Sequence, residues 1–411
     1  MRLLALVLAT ACAAAAYPLD GAEATGIRRL VGYKLAAEGK INRTIALKPG
    51  CYLSTEDIRL HLHGANDDFD LGPATPRDPE LQAGLEKVMA GRDPSYSIAL
   101  LDISNPLRPR FAAVRPEVKR IPGSLGKLLV ATGFFDALRL RFPGDTDARR
   151  TFLRDTKITA DAFVHTDGKT VPLYDAQTKT LTNRRVETGD VFNLYEWLDH
   201  MLSQSSNAAG SEVWKEAILL RKFGADYPLT AAQQEKFLSE TPKTELRDMA
   251  LSTLETPLHD AGIDTDNLRL GTMFTRNGSA RIPGTASYGS PWELMRWLIK
   301  LEQGKIVDEW SSLEIKKLLY FTRPRYRYAS SPALDDAAVF FKSGSLFQCE
   351  PEEGYTCKAY AGNKLNLMHS VAIVERPGQV YLVTMTSDVR KVNGAVEHQT
   401  MATLIDRLLR K

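Results

Sequence analysis

The sequence predicts an α+β protein, with an antiparallel sheet assembled from both ends of the chain, flanked by helices, and a mostly helical subdomain inserted between the strands. Three observations lead there. Short β-rich runs occur at residues 97–114 and again beyond residue 335, whereas the long middle of the chain carries apolar residues at helical spacing. Strands and helices do not alternate as βαβ units do, which argues against a parallel sheet. The chain has 411 residues, 44% apolar and 25% charged, enough for a substantial core and outside the ranges of disordered, collagen-like or coiled-coil chains.

Taken in order, residues 1–16 (MRLLALVLATACAAAA) place one Arg before an apolar run that ends in small residues, the order of a secretory signal peptide. The run is too short for a permanent membrane span. Cleavage after Ala16 would leave an exported chain, periplasmic or secreted. Ala9-Thr10-Ala11-Cys12 offers an alternative in which Cys12 carries a lipid anchor. Residues 17–78 read as a small N-terminal appendage with strand segments at 29–35, 43–47 and 58–63, followed by the turn-rich linker ANDDFDLGPATPRDP.

From Pro79 onward, through residue 411, the pattern is that of the main domain. Leu81, Leu85, Val88 and Met89 have helical spacing; residues 97–103 form a strand, with residues 111–114 as its hairpin partner. Pro122-Gly123 halt that segment, and a helix begins at Ser124 with Leu125, Leu128, Leu129, Phe135 and Leu138 as its buried stripe. Leu194, Trp197, Leu198, Met201 and Leu202 mark a second helix that stops before SQSSN, and Ser290-Pro291 open a third over residues 292–301. Residues 338–341, 370–374 and 381–385 are strands, and a last amphipathic helix runs through Leu404 and Leu408.

Charge and cysteine content narrow the partners. A formal charge of +3 with no concentrated basic run gives no nucleic-acid footprint. Contact with membrane is expected only through the signal peptide or a Cys12 anchor. Cys349 and Cys357 flank the turn-rich PEEGYT, so they either close that loop as a disulfide or remain free thiols, while Cys51 reads as a buried structural thiol.

The chemistry concentrates in three segments. Ser124 and Lys127 are three apart, on one face of a helix, and a lysine desolvated by the following Leu128-Leu129-Val130 can act as base toward a serine hydroxyl. Ser205-Ser206-Asn207 offers a hydroxyl able to relay a proton and an amide able to hold a substrate carbonyl. Lys342-Ser343-Gly344-Ser345 lies on a strand, with a lysine to attract a carboxylate, a glycine permitting close backbone approach, and a backbone N–H at Ser345 for an oxyanion.

In this order the three segments resemble the penicillin-recognising serine enzymes, the superfamily of active-site-serine β-lactamases and D,D-peptidases, and most closely the class A β-lactamases. The resemblance spans residues 79–411 and includes SYSIALLDI, MLSQSSNAAG, GSPWELMRWLIKLEQGKIV and FFKSGSL. It implies a β-lactamase-like fold working without metal or organic cofactor. By that resemblance Ser124 is the acylated nucleophile, Lys127 its base and Ser205 the proton relay. Asn207 positions the substrate, Lys342 and Ser343 bind its carboxylate, and the amides of Ser124 and Ser345 form the oxyanion hole.

One departure from class A matters for turnover. Those enzymes keep a deacylating Glu on the loop ahead of the helix that matches residues 292–301, yet residues 267–291 here contain none. Asp264 and Asp266 are the nearest acids before that stretch. The expected activity is an exported serine hydrolase acting on a small-molecule β-lactam. Alternatives are a D,D-peptidase, transpeptidase or esterase-like enzyme using a peptidoglycan-derived substrate, or a non-catalytic peptidoglycan-binding module. Two further motifs are weaker. His61 and His63 lie on one face of a strand, where they are read as polar strand residues rather than metal ligands, and residues 323–328 (RPRYRY) read as a solvated basic loop.

Overall fold

The computed structural model describes residues 19–45, 53–322 and 325–410. The signal-peptide reading, Cys12 and Cys51 lie outside the described residues, as do residues 46 and 47 of the 43–47 segment, whose described part is not a strand. No helix among the described residues is long and apolar enough to cross a membrane.

The sheet forms as the sequence predicts, from both ends of the main domain. Its strands are β1 (Ser97–Asp102), β2 (Arg110–Val114), β3 (Ala338–Gln348), β4 (Leu365–Arg376) and β5 (Gln379–Asp388), in the spatial order β2-β1-β5-β4-β3. Every pairing is antiparallel, with β3 on the edge. Successive side chains of a strand point to opposite faces. Accordingly Ile98, Leu100, Val339, Phe341 and Val383 pack with Leu81, Leu85, Met401 and Ile405 on one side. Ala99, Leu101, Phe340, Ile373 and Leu382 enter the larger core on the other. Burial on both faces is why SIALLD reads as an unbroken apolar run rather than an alternating one.

That larger core is organised around α1 (Lys127–Arg141), in which Leu128, Leu129, Val130, Ala131, Phe134, Phe135 and Leu138 are all fully buried. A helix that is apolar all round has to sit inside a domain, and this one is packed by Asn207–Phe223 and Lys243–Asp260. The α-helix begins at Lys127 rather than Ser124, because Gly123–Gly126 form a 3₁₀ turn ahead of it. Sequence reading missed a hairpin, Val171–Asp175 with Thr180–Arg184, inserted in this helical half.

The N-terminal appendage differs from expectation. Arg28–Ala37 is a helix, not a strand: Leu30, Tyr33 and Ala36 are buried and Val31 is exposed, a three-residue repeat of burial that only a helix presents. Residues 58–63 are not a strand either, since the N–H groups of Leu62 and His63 donate to Glu302 O instead of a neighbouring strand. His61 and His63 consequently do not share a face: His61 approaches Glu375 at 3.1 Å, whereas His63 contacts Gln303 O and Glu309. Glu302 and Glu375, close to His61, enclose the buried Lys316 ammonium at 2.5 and 2.6 Å, so an internal cation already occupies the space between the two carboxylates.

Arg29 ties this appendage to the helix Leu194–Leu202. Its guanidinium is buried, with Asp199 Oδ1 at 2.5 Å, Ser203 Oγ at 3.0 Å and Phe321 O at 3.1 Å. Asp199→Ala leaves that guanidinium desolvated without its carboxylate, and the unfolding free energy in urea should fall by about 3–5 kcal/mol. A loss below about 1 kcal/mol, the range of exposed pairs, would contradict this reading of the tether.

Candidate active site

Local sequence chemistry places each of the three motifs. Asn193 and Glu196 form a capping box that starts the helix Leu194–Leu202, and Ser206 caps the next helix by accepting from the Ala209 N–H. Between them the chain turns through Ser205, a non-glycine residue held at φ 59°, a strained conformation that persists only where its surroundings enforce it. Asp167 supplies part of that enforcement. Its Oδ2 accepts from Ser206 Oγ at 2.8 Å, Asn207 N at 2.6 Å and Ala208 N at 2.9 Å.

The serine turn and edge strand β3 meet through two glycines. A Cβ on Gly123, which sits at φ 54°, would lie 3.0 Å from Ser345 O, and a Cβ on Gly344 would collide with Pro122 O. Backbone-to-backbone approach at Ser124 and Ser345 is therefore possible only because both partners lack side chains. His369, opposite Gly344 on β4, adds a brace from behind, with Nε2 3.0 Å from Ile121 O. Burial pushes its pKa down to about 4, so it is neutral at pH 7.

All eight residues singled out from the sequence converge on this cleft. Lys127 Nζ lies 2.8 Å from Ser124 Oγ and 2.8 Å from Asn207 Oδ1, with the Phe274 ring centroid at 4.1 Å. Lys342 Nζ lies 2.8 Å from Ser205 Oγ and 3.0 Å from Ser343 O. Both lysines are fully buried without a carboxylate partner among the described residues. Burial is the main reason that each pKa falls well below that of an ordinary lysine; the charge of Lys169 adds to both, with Lys342 also acting on Lys127 and Arg327 on Lys342. A neutral Lys127 can accept the Ser124 proton.

Two cavities of about 590 and 420 Å³ adjoin at Ser124. The first is of mixed character, lined by Lys169, Gln204, Arg327 and Ser343 together with Tyr326, Tyr360 and Met368; the second is more apolar, lined by Leu270, Met273, Phe274, Leu346 and Phe347.

No family model matches the chain, and no curated protein sequence matches it. Solved structures do. The extended-spectrum β-lactamase TLA-3 superposes with a TM-score of 0.52 at 13% identity, covering 80% of this chain and 96% of its own. A β-lactamase from Sphaerobacter thermophilus gives 0.50 at 12% identity, covering 79% and 94%. TLA-1 β-lactamase gives 0.50 at 14%, covering 80% and 98%. The chain has the fold of the penicillin-recognising serine enzymes.

Within that β-lactamase-like fold, four contributors escaped the sequence reading. Asp167 and Lys169 come from a loop with no motif spacing, and Tyr360 from the segment just after the Cys349–Cys357 disulfide; all three reach the cleft only through tertiary placement. Arg327 was visible in RPRYRY but assigned to solvent. Arg325 and Arg327 are instead buried, and Arg327 donates to Gly344 O at 2.6 Å from a backbone φ of 58°. Nor do the candidate acids reach Ser124. Asp264 accepts from Asn267 and from the Asp266 N–H and lines a separate cavity. Among the described residues lining the two cavities at Ser124, none is Asp or Glu.

Proposed function

We propose that the protein is an exported serine enzyme that forms an acyl-Ser124 intermediate from a β-lactam or a related cyclic or D-peptide amide. The observation that carries this reading is the 2.8 Å contact between Ser124 Oγ and a fully buried Lys127 with which no carboxylate among the described residues forms an ion pair. Burial costs an unpaired ammonium several kcal/mol, and a neutral amine beside a serine hydroxyl is a working base.

In this mechanism Ser124 Oγ bonds to the amide carbon while its proton passes to Lys127 Nζ. The carbonyl oxygen takes the developing negative charge in the cradle between the amides of Ser124 and Ser345. The C–N bond then breaks as Ser205 Oγ gives its proton to the leaving nitrogen and takes one in turn from Lys342, 2.8 Å away and charged beside the substrate carboxylate, while Lys127 keeps the proton of Ser124. Asn207 aligns the acyl group, and Ser343, Lys342 and Arg327 hold the substrate carboxylate. Among the described residues no carboxylate lines the two cavities at Ser124, which favours a slow-releasing acyl-transfer enzyme over a fast β-lactamase. Export is supported by the first sixteen residues and by the Cys349–Cys357 disulfide, a bond that persists in oxidising compartments.

Fluorescent penicillin should label the wild-type chain covalently and leave Ser124→Ala unlabelled. The variant should still melt cooperatively, because Ser124 Oγ caps no helix. Labelling that survives in the variant would put the nucleophile elsewhere.

A further inference from the structure

We propose that Lys169 forms a second anion subsite across the cleft from Ser343 and Arg327, selecting acyl donors that carry a carboxylate on the acyl portion as well as on the leaving portion. The proposal rests on the acyl-Ser124 reading and specifies its substrate class.

The two cationic positions belong to opposite walls. Arg327 is fixed to the sheet wall, donating to Gly344 O, beside Ser343 on β3. Lys169 comes from the loop between Ala162–Val164 and Val171–Asp175 on the helical wall. It lines both cavities, sharing one with Arg327 and Ser343 and the other with Asn207. Its Nζ donates to Ser205 O at 2.8 Å, which uses one of the three protons of an ammonium.

Among the described residues no carboxylate pairs with its Nζ, and Asp167 offsets its charge only through space. The carboxylate closest in sequence, Asp167, is committed to Ser206, Asn207 and Ala208 through Oδ2 and to Lys169's own backbone N–H through Oδ1. Among the described residues no carboxylate forms an ion pair with Lys127, Lys169, Arg327 or Lys342, and none lines either cavity. Burial pulls the Lys169 pKa down to about 8, with Asp167 opposing and Arg327 adding to the fall, so the side chain still carries its charge at pH 7. A half-buried cation whose Nζ makes one hydrogen bond among the described residues, facing cavities whose described lining holds no carboxylate, is a binding group for an anion brought by the ligand. A single substrate carboxylate on β3 leaves it unmet.

The test compares benzylpenicillin with its α-carboxy and α-amino derivatives, which change one charge on the acyl side and nothing on the leaving side. Second-order acylation rates of the full chain, read by intact mass, should follow the order carboxy, unsubstituted, amino. In Lys169→Gln the carboxy-to-unsubstituted rate ratio should fall by about tenfold, the scale of one charge-assisted hydrogen bond, and Lys169→Arg should retain part of it. A wild-type series with no order, or the reverse order, overturns the proposal without any variant. So does a ratio that Lys169→Gln leaves unchanged while both rates drop together, since that describes one carboxylate shared between Lys169 and Arg327. Absence of acylation by all three compounds would overturn the acyl-Ser124 reading itself.

Discussion

Lys127→Arg should lower the rate of Ser124 acylation by about 10²-fold or more while the chain stays folded. Arginine keeps the positive charge and nearly the length, but it does not lose its proton at any accessible pH. Lys127 is different because its site works against the charged form: it is fully buried, faces the Phe274 ring, and shares the cleft with the cations Lys169 and Lys342. The sign follows directly. A lysine with a lowered pKa is in its basic form above that value, so acylation should hold its rate well below the ordinary lysine pKa of about 10.4 and decline only as pH falls through the depressed one. Loss of general-base assistance typically costs 10²–10⁴-fold. Rates of adduct formation measured across pH for both proteins check this. An arginine variant that acylates at near wild-type rate would remove Lys127 from the role of base.

The second large effect concerns release. After free β-lactam is removed, acyl-Ser124 should persist for roughly minutes to hours, reflecting the absent 10²–10⁴-fold help that a base gives to the attacking water. The segment that would supply the base presents Leu270, Thr272, Met273, Phe274 and Ser287 to the cleft. Asp264 is held by Asn267, and Glu293 is occupied by Arg296 and the Asp264 N–H. The decay of labelled protein, followed by mass, decides the matter. Disappearance of the adduct within milliseconds would mean that a base other than these residues is at work and that the protein is an efficient β-lactamase.

The parts of this molecule legible in sequence are those whose signal is local. An S-x-x-K spacing on a helix, the Ser-Ser-Asn turn between two capped helices and the Lys-Ser-Gly-Ser stretch of β3 each depend on neighbouring residues, and all eight of the residues they contain that were expected at the site meet within one cleft. The continuous apolar run at 97–102 marked a strand buried on both faces. The appendage misled because Arg28–Ala37 mixes apolar and basic residues in a short segment: Arg29 occupies an inward position that hydrophobicity alone assigns to solvent, and it is buried only because Asp199, 170 residues away, awaits it. Arg327 misled for the same reason. Its burial is compensated by the carbonyl of Gly344, an acceptor that no sequence pattern near 327 announces. Asp167 and Lys169 were silent because their work, holding the Ser205 turn and facing the cleft, exists only once the helical half has folded over the sheet.

Ser124 as the acylated nucleophile can be read directly from a peptide mass. Trypsin cutting after Arg120 and Lys127 releases the peptide Ile-Pro-Gly-Ser-Leu-Gly-Lys, in which Ser124 is the sole hydroxyl-bearing side chain. After brief exposure of the folded protein to benzylpenicillin and rapid quenching in acid, that peptide should carry the full mass of the penicilloyl group, and no other peptide should. An unmodified Ile121–Lys127 peptide, with the adduct absent or on another segment, would contradict the account.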